Sequence, residues 1–439
     1  MRDYSKTWIT CKKVLVLGAG KSGMAAAKFL YYKGAVVGIY DDVETKQSIP
    51  QAICVTSEKQ IEFEKFDLCV ISPGVSINHK IARKFEGRNI SELALGFTDK
   101  HKKVVAVTGT NGKTTVTKMI AAALGRRGVA CGNVGVPVTS VADELRRKIA
   151  VAEVSSFMLE APGDFCSDIS VILNITQDHL ERHGSMQEYI RCKSVLAGNS
   201  KTLILNYDDE NCRALGNQRS LFFSTTKAVR GIYIDGKDIC LNLKNKPKKL
   251  FNIDDFGETK PHAIQNILAT ILVCHLLKVS KRRIMAACNG HRTNEHRIQS
   301  VANIGNVTFY NDSKATNIAA CLAACRCFKC PINLLVGGQV KGQNFAELFE
   351  KLPNMVEQVF CFGSGEDVIM ESAKQRNFKN ITKCADMAEA TKAAYEHGFG
   401  PRVVLLSPAC ASLDEYKSYA ERGEKFTEIV RGLADDTVQ

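Results

Sequence analysis

Val104-Val105-Ala106-Val107-Thr108-Gly109-Thr110-Asn111-Gly112-Lys113-Thr114-Thr115 joins a β-branched apolar run to a glycine-bounded loop that closes in Gly-Lys-Thr. A strand, a tight loop and a helix start in that order suit a nucleoside triphosphate. Backbone N–H groups, the positive end of the helix and one lysine converge on its phosphates. Thr114 stands where its hydroxyl would hold Mg²⁺. The run departs from the common G-x-x-x-x-G-K-[ST] pattern, because Val107 occupies the first glycine position and Gly109 comes two residues later. ATP binding is the reading that the stretch supports.

Around it, 439 residues leave room for three domains. An apolar fraction of 45% and a charged fraction of 24%, without low-complexity tracts or repeats, describe a globular chain. The richest apolar run, Ile264 to Leu277, contains Gln265, Asn266 and His275 and reads as a buried helix rather than a membrane span. The run Val14–Leu17 is too short for a signal peptide, so a cytoplasmic location is expected. Seventeen cysteines are scattered singly except for Cys321, Cys325, Cys327 and Cys330. A second C-x-x-C is missing there, and Cys321 and Cys325 lie one helical turn apart, which suits a packed helix face better than a zinc site. The net charge of +13 admits nucleic acid or anionic substrates. Its densest run, Lys244–Lys249, follows a hairpin signal at Ile232–Leu241 and reads as a solvated loop. No basic stripe with interleaved aromatics exists to bind nucleic acid.

Taken in order, the chain alternates strands and helices, which predicts an α/β fold with parallel sheets. Val14–Leu17, Gly18-Ala19-Gly20-Lys21-Ser22-Gly23, a helix and the strand Val36–Tyr40 ending at Asp41 form a Rossmann-like unit. Its glycines admit a diphosphate to the helix start, and Asp41 could reach a sugar hydroxyl. Cys69–Ile71 runs into Ser72-Pro73-Gly74, and Ser91-Glu92-Leu93 leads out of the domain near residue 98. In the central domain Gly132-Asn133-Val134-Gly135 marks a loop after a short strand. The strand Ala150–Ala152 delivers Glu153, Ser155 and Ser156, where a carboxylate beside a phosphate loop can hold Mg²⁺. Val171–Thr176 precedes Asp178-His179, Lys193 falls in the helical pattern Met186–Leu196, and His262–Asn266 opens the apolar helix. A third unit begins near residue 294. Its strands Val307–Tyr310, Ile332–Val336 and Val403–Leu406 end in polar clusters, the edge at which α/β sheets bind ligands.

These residues alone leave two chemical classes open: a ligase that activates an acid with ATP, and a P-loop ATPase doing mechanical or nucleic-acid work; a nicotinamide dehydrogenase would leave the phosphate loop unexplained. Together, Thr108–Thr115, Glu153-Val-Ser-Ser156, Asn174–His179 and His296-Arg297 resemble the ATP-dependent Mur ligases of peptidoglycan synthesis. Asn311-Asp-Ser-Lys-Ala-Thr-Asn317 and Ser407-Pro-Ala-Cys-Ala-Ser-Leu-Asp414 resemble the branch that adds D-glutamate to UDP-N-acetylmuramoyl-L-alanine. The resemblance covers the whole chain. It implies a Rossmann-like UDP-binding domain (1–98), a central P-loop-type ATP/Mg²⁺ domain with a mostly parallel sheet (99–293) and a Rossmann-like C-terminal domain (294–439). The implied reaction passes through an acyl phosphate in the cytoplasm and serves cell-wall biogenesis, cell shape and division.

Residue by residue, the resemblance implies Gly109, Thr110, Asn111, Gly112, Lys113, Thr114, Thr115, Asn266, Arg297, Asp312 and Lys314 at ATP. Thr114, Glu153, His179 and Lys193 would serve two Mg²⁺ ions, Lys193 as a CO₂-derived carbamate, because an ammonium of pKa about 10.4 would repel the second ion. Lys113, Glu153, His179 and Lys193 are thereby the implied catalytic set. Lys21, Ser22, Asp41, Ser72, Gly74, Asn133, Ser155 and His179 would contact the UDP substrate, and Thr316, Lys341, Ser412, Leu413 (through its backbone) and Tyr419 would contact D-glutamate. A monomer with small-molecule substrates and no nucleic-acid or membrane partner is expected. Met158, Ala263 and Gln339-Val340 depart from the family pattern.

Overall fold

The computed structural model describes residues 9–42, 52–55, 61–98, 101–133, 135–161, 163–257, 261–290 and 296–436. The predicted domain boundaries at 98/99 and 293/294, and Val134 of the loop after the short strand, touch residues outside the described ones. The described residues to Ile175 and Gln187–Gly290 form one compact unit; Thr176–Met186 and the described residues beyond 295 form another.

Two sheets belong to the first unit. The N-terminal one comprises β1 (Lys13–Leu17), β2 (Val36–Tyr40), β3 (Ile53–Val55), β4 (Leu68–Ile71) and β5 (Asn89–Ser91) in the order β3-β2-β1-β4-β5. All its pairings are parallel, as a Rossmann-like sheet requires. The central sheet holds β6 (Lys103–Thr108), β7 (Gly128–Gly132), β8 (Ile149–Glu153), β9 (Ser167–Ile172), β10 (Ser200–Asn206), β11 (Leu221–Ser224), β12 (Gly231–Asp235), β13 (Asp238–Asn242) and β14 (Lys248–Asn252). Their order is β14-β13-β12-β11-β10-β9-β6-β8-β7, parallel except where β13 joins β12 and β14. In register, Val107 of β6 faces Glu153 of β8 on one side and Val171 of β9 on the other, so three strand ends finish level.

Strands buried on both faces read as continuous apolar runs, and β6 obeys that rule. Val105 and Val107 pack with Val116, Ile120, Leu268 and Leu272 on one face, while Val104 and Ala106 pack with Ala150, Val138 and Leu145 on the other. Each such Val, Leu or Ile side chain contributes roughly 1.5–3 kcal/mol of burial. The apolar run near residue 264 is the Pro261–Leu276 helix, whose Leu268, Ile271, Leu272 and Val273 are fully buried. Among the described residues no helix is long and apolar enough to cross a membrane.

The Lys244–Lys249 run is not all loop: Lys248 and Lys249 begin the edge strand β14, antiparallel to β13. Leu250 and Phe251 anchor the strand in the core while both lysines stay exposed, and Lys249 pairs with Asp238 at 2.6 Å. Lysines on an edge strand also discourage pairing with another chain.

The second unit carries β15 (Gln299–Ile304), β16 (Val307–Asn311), β17 (Ile332–Gly337), β18 (Val356–Phe362), β19 (Ile381–Lys383) and β20 (Arg402–Ala409). The order is β15-β16-β20-β17-β18-β19, antiparallel only between β15 and β16. Cys321 and Cys325 face the core of this unit from the Ile318–Cys325 helix, and among the described residues no His, Cys, Asp or Glu cluster could hold a metal.

Candidate active site

The loop after β6 is fixed from both sides. Gly109 (φ +154°) and Gly112 (φ +86°) adopt backbone angles that other residues rarely reach. A Cβ on Gly112 would stand 2.4 Å from Asn266 Oδ1, so glycine is also what lets the Pro261–Leu276 helix approach the loop. Asn174 grips the opposite side: its Oδ1 accepts from Asn111 N (2.7 Å), its Nδ2 donates to Asn111 O (3.1 Å), and its carbonyl accepts from Thr110 N (2.9 Å). Thr110 Oγ1 shares a 3.0 Å hydrogen bond with the hydroxyl of buried Tyr189. Lys113, first residue of the Lys113–Leu124 helix, donates to the carbonyls of Gly109 (2.8 Å) and Thr110 (2.9 Å). Thr114 and Thr115 follow in the first turn, half-buried.

Lys193 is 1% exposed. Its Nζ donates to Gly109 O at 3.1 Å and lies 4.6 Å from the centre of the Tyr189 ring, a cation–π distance. At the end of β8, Glu153 is 2% exposed; Oε1 accepts from Asn133 Nδ2 at 2.8 Å, and Oε2 is buried without a hydrogen-bond partner. A buried carboxylate oxygen left unpaired costs about 1–3 kcal/mol or more. A hard cation would supply the missing partner, and a carboxylate oxygen and a hydroxyl such as that of Thr114 are donors of the kind that Mg²⁺ takes. Ser155, just beyond, accepts weakly from Met158 N at 3.4 Å.

In the N-terminal sheet the first loop is closed by its own neighbours. A Cβ on Gly23 would lie 1.8 Å from Gly18 O, the close strand–helix contact that the motif's last glycine exists to allow. Ser72 Oγ donates to Gly18 O (2.9 Å), and Asp41 Oδ2 accepts from Ala19 N (2.5 Å). Lys21 Nζ reaches Gly135 O (2.6 Å), joining this loop to the one after β7. Ser22 is half-buried, and a Cβ on Gly74 would meet nothing within 4 Å.

In the second unit Asp312 is the organising carboxylate: Oδ2 accepts from Ser407 Oγ (2.8 Å) and Oδ1 from Ile298 N (3.1 Å). Lys314 Nζ stands 5.2 Å from the centre of the Tyr419 ring. Asn317 caps its helix through Ala320 N and donates to Asp178 Oδ2 (3.1 Å). His179 (φ +54°) holds its ring 3.6 Å from both Asp178 and Glu181 carboxylates. Arg297, Thr316 and Lys341 are half-buried, Ser412 is buried and Leu413 is exposed.

Tyr189 and Arg422 are structural partners of the site that sequence reasoning did not select, and Asn174, which opens the Asn174–His179 motif, receives no role from that reasoning. Arg422 is the largest fully buried side chain among the described residues. Burial pulls its guanidinium down to about 10, still charged at neutral pH. The signal was present: Arg422, Phe426 and Val430 recur every fourth residue of the Tyr419–Asp436 helix, and all three are fully buried.

The comparisons agree with this architecture. Family models described as "Mur ligase MurD-like, N-terminal domain", "Mur ligase middle domain" and "Mur ligase, glutamate ligase domain" match residues 12–92, 107–274 and 296–410. The chain is 34% identical to the UDP-N-acetylmuramoylalanine–D-glutamate ligase of Clostridioides difficile, over 96% of this chain and 99% of the relative. It is 33% identical to the enzyme of the same name from Pelotomaculum thermopropionicum, over 99% of each. Among solved structures, a pseudomurein peptide ligase type C from Methanothermus fervidus superposes with a TM-score of 0.61 at 18% identity, covering 96% of this chain and 100% of that one. UDP-N-acetylmuramate-alanine ligase MurC from Thermotoga maritima gives 0.57 at 19% identity, with 96% and 100% covered. At those identities the structures speak for the fold alone.

The chain therefore belongs to the Mur ligase family. Within it the chain falls in the MurD-like branch, and it is an ATP-dependent ligase of peptidoglycan synthesis with the family's three-domain fold.

Proposed function

We propose that this ligase joins D-glutamate to the alanyl carboxylate of UDP-N-acetylmuramoyl-L-alanine, releasing ADP and phosphate. The observation that carries the reading is the unpaired Glu153 Oε2 at a strand end level with that of the phosphate-loop strand. The full-length similarity to D-glutamate ligases supports the choice of substrate.

A carboxylate is a poor electrophile, so the alanyl carboxylate first takes the γ-phosphoryl group of ATP. The amine of D-glutamate attacks the resulting acyl phosphate, loses a proton, and phosphate departs from the tetrahedral adduct. Lys113 and the Gly109–Thr115 backbone offset the phosphate charge; Asn266, Arg297, Asp312 and Lys314 hold the rest of the nucleotide. Thr114 and Glu153 would hold one Mg²⁺, and His179 and Lys193 (as its carbamate) would serve a second; such ions would neutralise phosphate charge. Lys21, Ser22, Asp41, Ser72 and Gly74 hold the UDP end of the substrate; Asn133, Ser155 and His179 hold its muramoyl-alanine end. Thr316, Lys341, Ser412, Leu413 and Tyr419 hold D-glutamate, a dianion that calls for cationic and hydroxyl donors. We assign the domains to residues 1–98, 99–293 and 294–439 and infer a cytoplasmic monomer.

The test is phosphate release from ATP by the purified enzyme with UDP-N-acetylmuramoyl-L-alanine and, in parallel, D-Glu, L-Glu, L-Lys or no amino acid. Release with D-Glu alone is expected. Release with a different amino acid would keep the ligase chemistry and overturn the pocket assignment.

A further inference from the structure

Arg422 lies beneath the segments proposed to hold D-glutamate, and every N–H of its guanidinium is used. Nε donates to Ser313 Oγ (3.0 Å), Nη1 to Gly337 O (3.3 Å) and Ala411 O (3.2 Å), and Nη2 to Ser313 O (2.9 Å) and Cys410 O (3.1 Å). These acceptors are the ends of β16, β17 and β20 or the loops just beyond them. One planar fork thus fixes three strand ends at the sheet's C-terminal edge, a task that a flexible ammonium with three donors cannot copy. All five acceptors are neutral. A buried cation in that position is costly, and the nearby carboxylates of Asp414 and Glu415 offset part of that cost.

The peptide bond explains what the charge can do. Ala411 C=O is held by Arg422 Nη1, and in a planar trans peptide the N–H of Ser412 points the opposite way from that carbonyl. A charge-assisted bond to the carbonyl polarises the whole peptide unit, making its N–H a stronger donor. The backbone is held in this arrangement at neighbouring points as well. Ala409 has φ +56°, Gln339 and Ala411 exchange backbone hydrogen bonds (2.9 and 3.1 Å), and Gly338 (φ +120°) has room for no side chain beside Ala411 O.

We infer that Arg422 is a positioning residue for the amino-acid substrate: it locks and polarises the Ala411–Ser412 peptide so that Ser412 presents its N–H and hydroxyl to a substrate carboxylate. The inference rests on the proposed D-glutamate pocket. Its test compares Arg422→Lys with the wild type, measuring KM for D-glutamate, KM for UDP-N-acetylmuramoyl-L-alanine, kcat and the melting temperature. A rise of about tenfold or more in KM for D-glutamate is expected, with KM for the UDP substrate within about twofold. Equal changes in both KM values, or none in a folded variant, would overturn it. Ser313→Ala, which removes the acceptor of Nε together with the 2.8 Å bond from Ser313 Oγ to Tyr419 O, provides a milder second variant; a smaller rise confined to D-glutamate is expected, and an unchanged value would count against the role. If the wild type instead uses another amino acid, the D-glutamate reading falls, and the same comparison with that amino acid decides the role of Arg422.

Discussion

Asn133 Nδ2 donates to Glu153 Oε1 at 2.8 Å, and this single bond determines which carboxylate oxygen remains for a cation. The two residues sit on adjacent strand ends, because Gly132 of β7 pairs with Glu153 of β8. Partners that orient a metal ligand commonly matter about 10- to 100-fold in metal affinity or activity. Asn133→Ala should therefore raise the Mg²⁺ concentration for half-maximal phosphate release by about that factor. An unchanged Mg²⁺ titration would mean that Glu153 is positioned without Asn133.

Lys113 offers a sharper separation of chemistry from folding. Its bonds to the Gly109 and Thr110 carbonyls are local, and Gly109 O also accepts from Lys193. Lys113→Met should cost about 1 kcal/mol of stability while lowering kcat by about 100- to 1000-fold, the usual loss for one donor to transition-state charge. A melting curve and a single-turnover ATP assay on the same preparation check both halves.

What the chain discloses before folding follows from how local each feature is. The strand β6, its loop and Lys113 lie within twelve consecutive residues, and a strand buried on both faces declares itself as an apolar run. The three-residue strands β3, β5 and β19 are too short to carry a pattern. The grip of Asn174 on Asn111 spans 63 residues and that of Arg422 on Ser313 spans 109, so neither is encoded in a local motif. Glu92 reads in sequence as part of an exit from the first domain, yet it is 1% exposed and accepts from both Thr139 N and Thr139 Oγ1 at 2.7 Å.

That buried carboxyl sets a pH dependence. Burial pushes Glu92 above its ordinary value of 4.5, and the hydrogen bonds from Thr139 only partly offset it. A carboxyl raised in the folded state favours its neutral form, so the stability it contributes is complete below 4.5 and is lost as pH rises through the folded value. Glu92→Gln removes that titration. Relative to the wild type, the variant should gain in unfolding free energy from about pH 5 towards pH 8. A difference between the two proteins that is flat across this interval would show that Glu92 ionises as readily in the folded state as in the unfolded chain.

Lys193 tests the carbamate directly. Its Nζ is buried between Gly109 O and the Tyr189 ring, and Thr108 Oγ1 is 3.5 Å away, so the side chain cannot retreat to solvent without dismantling the loop wall. If the working form is an anion made with CO₂, Lys193→Ala loses a carboxylate equivalent at the end of a four-carbon stem, and the void admits a small acid. Activity should fall by about 100-fold or more, in line with loss of a charged group from the reacting centre. Acetate or formate at tens of millimolar should restore part of it, with chloride at equal ionic strength as the control. Rescue by the acids alone supports the carbamate. An undiminished Lys193→Ala enzyme would exclude it, and equal stimulation by chloride would reduce the effect to screening.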